Sequence, residues 1–192
     1  PEEFETKVDS LKNLKLETYN DFIGNNEVDD SFKKVAEETI NYYNYSKKEL
    51  YAGANMANEK NFPESFFAYR KNIDFEKNGM RFYYPYYRFL NRYFDNMVTS
   101  EYENLQSVDR SSFDYNYKKL KLIDSLITND SLKNSLLKNN TFRYLLGAKN
   151  AEEERQLVAL FSKLSTDEKN REEINTLMEA TVKLTAGNTV PN

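Results

Sequence analysis

The stretch SSFDYNYKKLKLIDSLI, residues 111–127, carries the spacing that decides the fold class. Its apolar residues recur three or four positions apart, which places them on one face of an α-helix. Ser111 or Ser112 supplies an oxygen for the N-cap, and the pattern predicts a helix through about Ile127. The face consists of Phe113, Tyr117, Leu120, Ile123 and Ile127, with Leu122 and Leu126 beside them. A face this wide is typical of a central helix.

Helical spacing continues toward the C-terminus. Asp130 begins a segment through Leu137, and residues 141–146 add a further turn or two before Gly147. Each segment is bounded by polar residues that favour short connections.

Two further helices are predicted from their start signals. Asn150 with Glu153, and Ser165 with Glu168, form pairs that resemble capping boxes. Gly187 is the expected C-terminal cap of the last helix. Short loops between such elements predict successive antiparallel hairpins.

The first half of the chain is also helical by pattern. One helix is expected over residues 4–22, with an interruption near Lys15, and its apolar face is Phe4, Val8, Leu11, Tyr19 and Phe22. A second, capped by Asp30 or Ser31, carries Phe32, Val35, Ala36, Ile40 and Tyr43 and extends to about Ala57. A short helix starts at Pro63, and another at Pro85.

The chain is therefore expected to be all-α, an irregular array of antiparallel helical hairpins with about 7–9 helices. The 5 glycines, 4 prolines and absence of sustained alternation disfavour a sheet. A single domain is predicted over residues 1–187. A change from aromatic-rich to Leu- and Glu-rich composition suggests subdomains 1–108 and 109–187, and residues 188–192 are expected to begin a linker.

The composition excludes several kinds of chemistry. Cysteine and histidine are both absent, so the chain cannot form a disulfide, a Cys/His zinc site or a Ser-His-Asp triad. The net charge of -4 disfavours a nucleic-acid surface, which needs clustered Lys and Arg. No apolar run approaches the ~20 residues of a transmembrane helix. We expect no catalytic residue, no metal site and no cofactor in this chain.

The segment RFYYPYYRFLNRYF, residues 81–94, is the most aromatic part of the sequence. Helical spacing assigns Tyr86, Phe89, Leu90, Tyr93 and Met97 to a core face. The candidate interaction surface consists of the residues off that face, Tyr83, Tyr84, Tyr87, Arg88 and Arg92. Exposed aromatic rings with polar rims can stack on sugars or grip a peptide, whereas buried ones form a core. Both interpretations remain open for this segment.

Adjacent acids occur repeatedly, as in Glu37-Glu38 and Glu152-Glu153-Glu154. A paired-acid hydrolase needs two carboxyl groups facing each other across a cleft, roughly 5–9.5 Å apart. Neighbours on a helix diverge, and acids in a first turn favour the helix dipole. The acids are therefore expected to be structural, with a carboxylate enzyme as a lesser alternative.

The closing residues LTAGNTVPN, 184–192, resemble the entry to the thioredoxin-like domain of TlpA/ResA-type (AhpC/TSA-like) thiol-disulfide oxidoreductases. The matching positions are Gly187, Val190 and Pro191. In many envelope proteins of Gram-negative bacteria, a helical region of similar length and aromatic content precedes that domain. The resemblance implies a parent protein in the periplasm or anchored to the cell envelope. The redox Cys-x-x-Cys would lie beyond Asn192, so no catalytic residue is carried over.

Two functions follow as hypotheses. The first is a non-catalytic accessory module whose partners are its own C-terminal thioredoxin-like domain and substrate proteins, a role compatible with a homodimer. The second is a free-standing helical adaptor that binds peptide or glycan.

Overall fold

The structure, a computed structural model, describes residues 1–58, 62–80 and 82–185. These ranges contain helices and no strand, which confirms the all-α prediction. The α-helices are α1 (Glu2–Asn25), α2 (Asp30–Asn55), α3 (Tyr84–Thr99), α4 (Phe113–Leu126), α5 (Asp130–Gly147), α6 (Ala151–Leu164) and α7 (Glu168–Thr185). Three 3₁₀ segments lie at Glu64–Asn72, Asn78–Met80 and Leu105–Ser107.

Contacts divide the chain into two compact units, of which the first is Pro1–Gln106 and the second begins at Ser107. The first unit holds α1, α2 and α3. The second holds α4 to α7. The prediction of a single domain over residues 1–187 with subdomains stays a prediction.

Helices α1 and α2 form an antiparallel hairpin. The Asn44 side chain donates to the Val8 carbonyl at 3.1 Å, near the start of α1 and in the second half of α2. At the opposite end, the Tyr19 hydroxyl donates to the Lys33 carbonyl at 3.0 Å. Asp29 caps α2 by accepting the Phe32 N–H, so the cap lies one residue before the predicted Asp30.

Helix α3 packs along α2 and provides most of the aromatic core of this unit. Tyr86, Phe89 and Leu90 are fully buried, as the spacing predicted. The Tyr86 ring meets the Tyr42 ring edge-on at 4.7 Å between centroids. The core face of residues 86–93 is therefore an interhelical contact of α3.

The apolar faces predicted for α1 and α2 are partly wrong. Helix α1 is continuous through Lys15, and Val8 is its buried residue, whereas Leu11 and Phe22 are exposed. On α2, Phe32 and Tyr43 are exposed. The interior side of α2 instead presents Tyr42, Asn44, Ser46, Lys48, Glu49 and Ala52. Paired polar groups fill the space between helices that apolar residues were expected to fill.

The second unit is built around α5, which contacts α4, α6 and α7. The predicted division of α5 near residues 138–140 is wrong. The Asn140 side chain donates to the Leu136 carbonyl and Thr141 to the Leu137 carbonyl, so both polar side chains bond back onto the helix and let it continue. The fully buried side chains of this core include Leu120, Ile123, Leu132, Leu136, Leu157 and Phe161.

The caps of this unit follow the sequence with one exception. Ser112 accepts the Tyr115 N–H, and Asn150 accepts the N–H groups of Glu152 and Glu153. At α7, however, Asp167 takes the capping position and accepts the Asn170 N–H. Ser165 was expected there. The predicted cap Gly187 lies outside the described residues.

Ser165 is instead bound by Asn134 in the second turn of α5. The Asn134 side-chain oxygen accepts the Ser165 hydroxyl at 2.9 Å and the Thr166 N–H at 3.0 Å. Its amide nitrogen donates to the Thr166 hydroxyl at 2.9 Å. One buried amide therefore holds the α6–α7 loop against α5.

Replacing Asn134 with Ala should destabilise the second unit by about 2 kcal/mol, because the buried Ser165 hydroxyl and the Thr166 N–H lose their acceptor. Urea unfolding followed by circular dichroism would measure the change. The control is Arg143→Ala, an exposed position on the same helix, with an expected change below about 0.5 kcal/mol. Equal effects at the two sites would contradict the anchoring role of Asn134.

Candidate functional site

The first candidate site is the aromatic surface at the start of α3, which comprises Phe82, Tyr83, Tyr84, Tyr87 and Arg88. Phe82 is 82% exposed and Tyr84 is 67% exposed, and Tyr83 is also exposed. The Arg88 guanidinium lies 5.3 Å from the centre of the Tyr84 ring, a cation–π distance. Tyr87 is half-buried beside them. Four of the five predicted surface residues therefore lie together with Phe82.

The position of Pro85 explains why the aromatic residues before it are exposed while those after it include the buried face of α3. Pro85 occupies the first turn of α3, where its missing N–H costs nothing. The aromatic residues before it lie at or ahead of the first turn, whereas Tyr86 and Phe89 follow the buried face. Backbone position, as well as helical spacing, therefore exposes residues 82–84.

Arg92, the fifth predicted surface residue, has a structural contact. Its guanidinium donates to the Ser46 carbonyl and to the Ser46 hydroxyl, both at 2.8 Å. Burial, followed by the nearby charge of Arg88, lowers the pKa of Arg92. The side chain is half-buried and ties α3 to α2.

The second candidate site is the α1–α2 groove, a shallow channel along one side of the hairpin. The part of the groove next to Val8 has a volume of about 200 Å³, and the part next to Phe22 has a volume of about 560 Å³. Lys15 and Ile40 line both parts. The exposed apolar side chains along it are Leu11, Leu14, Phe22, Phe32 and Tyr43. The groove was not expected from the sequence, because helical spacing assigned four of these five residues to the interior.

Lysines border the α1–α2 groove. The Lys15 ammonium lies 4.0 Å from the centre of the Tyr43 ring, and the Lys47 ammonium lies 4.9 Å from the same centre. Lys12 lies 5.4 Å from the Tyr45 ring centre. The groove thus combines an apolar floor with positive charge.

Glu49 anchors a buried ionic cluster that joins α2, α3 and the 3₁₀ segment Glu64–Asn72. Its carboxylate is 1% exposed and accepts two bonds from the Arg70 guanidinium, at 2.8 and 2.7 Å. The Tyr69 hydroxyl donates at 2.7 Å and the Asn96 amide at 2.6 Å. Four donors from the 3₁₀ segment Glu64–Asn72 and from α3 therefore converge on one carboxylate of α2.

The electrostatics of this cluster favour the charged form of Arg70. Burial alone would lower the pKa of Arg70, but the hydrogen bonds and charge of Glu49 outweigh it and raise that pKa. The Arg70 guanidinium also stacks 4.0 Å from the Phe67 ring centre. Burial raises the pKa of Tyr69, and the charge of Glu49 adds to the shift. A fully satisfied carboxylate is structural rather than free to react.

The described carboxylates whose pKa is shifted differ from what a paired-acid enzyme needs. Where the pKa of an acid is shifted, in Asp29, Asp109 and Glu173, it is lowered, first by a side-chain hydrogen bond. A general acid requires the opposite shift. Glu152, Glu153 and Glu154 lie in the first turn of α6, as predicted. Among the described residues, no cluster of acids could hold a metal ion.

Replacing Glu49 with Gln should lower the free energy of unfolding by about 3 kcal/mol, because Arg70 keeps its charge in a buried site without a counter-ion. Urea unfolding followed by circular dichroism would measure it. The control is Glu64→Gln, which removes an exposed pair with Lys71 at 3.8 Å and should change stability by less than about 0.5 kcal/mol. A Glu49→Gln effect no larger than the control would contradict the anchoring role.

Within the described ranges, no helix has the length and hydrophobicity needed to cross a membrane. The chain matches no protein-family model, no curated protein and no solved structure. Gly187, Val190 and Pro191, which carry the resemblance to thioredoxin-like proteins, lie outside the described residues. Function is therefore inferred from the two surfaces of the first unit.

Proposed function

We propose that the chain is a non-catalytic helical module that acts by binding another protein through the aromatic surface. The observation that carries this proposal is the exposure of three consecutive aromatic side chains, Phe82, Tyr83 and Tyr84, beside Arg88. Large exposed apolar side chains are costly in water, and aromatic residues with Arg are the types enriched at the centres of protein interfaces.

The support beneath this surface suits it to binding. Tyr86 and Phe89 begin the buried face of α3 within a few residues of the exposed aromatic side chains. Arg92 fixes α3 to α2 through Ser46. A surface held on a packed helix loses little conformational entropy when it binds, which leaves more of the contact energy for affinity.

We further propose that the module belongs to a thiol-disulfide oxidoreductase of the cell envelope, facing the periplasm. This part rests on the resemblance of residues 184–192 to the entry of a thioredoxin-like domain. The partner would then be that domain or the proteins it oxidises or reduces. The module would position them, since its own residues include no thiol.

A free-standing adaptor for peptide or glycan is the second candidate. It is favoured by the Tyr84 ring, which is mostly exposed and has Arg88 at one face. Sugar rings stack on such exposed aromatic faces, whereas a protein partner would use the whole aromatic surface. Native mass spectrometry of the purified chain with oligosaccharides would distinguish the two, because a glycan adaptor retains the sugar.

A photo-crosslinking amino acid placed at Tyr84 in the native host should capture a defined protein, with Leu146, an exposed apolar position in the second unit, as the matched control site. The combined Tyr83→Ala, Tyr84→Ala and Arg88→Ala variant should bind the captured protein about tenfold or more weakly. Its Tm should change little, because these side chains are exposed.

Two results would contradict the proposal. One is a Tm loss in the triple variant as large as that of Tyr86→Ala, which would show that the aromatic residues stabilise the core. The other is equal capture from positions 84 and 146. Capture of a protein with a Cys-x-x-Cys site would support the oxidoreductase part of the proposal.

A further inference from the structure

The α1–α2 groove has the dimensions of a helix-binding site. Its ends are marked by Val8 with Asn44 and by Phe22 with Phe32. From Val8 to Phe22, α1 rises about 20 Å at ~1.5 Å per residue. That length accommodates about four turns of a partner helix lying along the hairpin. Apolar residues at positions i, i+4 and i+7 of such a helix would contact the exposed apolar side chains of the groove.

The apolar floor is exposed along this whole length. Leu11 and Leu14 are 51% and 59% exposed on α1, and Phe22 and Phe32 are 46% and 44% exposed at the far end. The Phe22 and Phe32 rings contact each other at 6.0 Å between centroids, so they form one continuous apolar patch. Covering these side chains would remove apolar surface from water, which is the main favourable term in association.

The charge of the α1–α2 groove is positive and not neutralised. Its lining includes Lys12, Lys15 and Lys47 and no carboxylate. Among the described residues, these three ammonium groups contact tyrosine rings rather than carboxylates. The chain as a whole carries a net charge of -4, so this local excess of positive charge runs against its overall balance.

Other lysines of the first unit show the contrast. Each of the following forms an ion pair: Lys7 with Glu3, Lys33 with Asp30, Lys48 with Glu5 and Asp9, Lys71 with Glu64, and Lys77 with Glu38. None of these carboxylates lines the groove, although Asp9 lies next to it, hydrogen-bonded to the lining residue Asn44. The groove presents charges that an acidic partner could neutralise.

We propose that the α1–α2 groove binds an amphipathic helix of another protein, with apolar residues on one face and Asp or Glu along its flanks. The concave shape between two helices fits a rod better than a flat bilayer. This site is distinct from the aromatic surface and does not depend on its role.

The probe is a displayed library of helical peptides with Leu fixed at i, i+4 and i+7 and with flanking positions varied among Glu, Lys and Gln. Selection on the purified chain should enrich Glu at the flanks. For a selected peptide, the variant Lys12→Gln, Lys15→Gln and Lys47→Gln should weaken binding about tenfold. The variant Lys12→Glu, Lys15→Glu and Lys47→Glu should reverse the preference and select Lys.

Two control variants test whether binding depends on the groove itself. Lys7→Gln, Lys71→Gln and Lys169→Gln together change three exposed lysines elsewhere and should leave binding unchanged. Leu14→Asp should abolish binding while the circular dichroism melt stays close to that of the parent, because Leu14 is exposed. This melt also shows that a loss of binding is not a loss of folding.

Several outcomes would overturn the proposal. These are no enrichment, enrichment of Lys at the flanks, or selected peptides whose binding survives Leu14→Asp. Binding to phosphatidylglycerol vesicles that Leu14→Asp abolishes would identify a membrane surface instead. Dimerisation of the parent in light scattering that Leu14→Asp abolishes would identify a second copy of the chain as the occupant.

Discussion

The carboxylate of Glu49 is the group on which the first unit depends. Withdrawing a charge from water costs several kcal/mol, and only close, well-directed partners offset that cost. Here the offset comes from a two-bond contact with Arg70, a phenol from Tyr69 and an amide from Asn96. Because these donors lie on separate segments, the carboxylate can be buried only when α2, α3 and the segment Glu64–Asn72 are all in place.

The polar interior also shapes the surface. Helix α2 turns its charged residues Lys48 and Glu49 inward, where they are paired, and leaves Phe32 and Tyr43 exposed. Helix α1 supplies Glu5 and Asp9 to Lys48 and leaves Leu11 and Leu14 outside. The apolar groove is thus the counterpart of a polar interior. Because the inner contacts of this hairpin are ionic, its apolar residues lie on the outer side, where a partner can contact them.

The second unit shows what sequence pattern can predict. Ser112 and Asn150 cap the helices expected from them, and Leu120, Ile123, Leu157 and Phe161 lie in the core. Local signals suffice at these positions because apolar burial and capping agree, whereas Asn134 and Ser165, which bond to each other across 31 residues, were not predictable in this way. The faces of α1 and α2 were partly wrong because a buried Lys48 or Glu49 depends on partners 20 to 47 residues away, which no local window contains. The exposure of Tyr83 and Tyr84 was predictable, since Pro85 marks the helix start, whereas the groove was not.

The polar contacts between α2 and α3 also limit how the first unit can move. A slide of α3 by one turn along α2 would take Asn96 from the carboxylate and Arg92 from Ser46, leaving buried groups unsatisfied. Shear between packed helices is a common route by which one binding event alters another, and it requires two arrangements of similar free energy. Here the polar contacts give the observed position of α3 a much lower free energy than the shifted one. The aromatic surface and the α1–α2 groove should therefore bind without cooperativity, each with an affinity that the other's occupancy leaves unchanged.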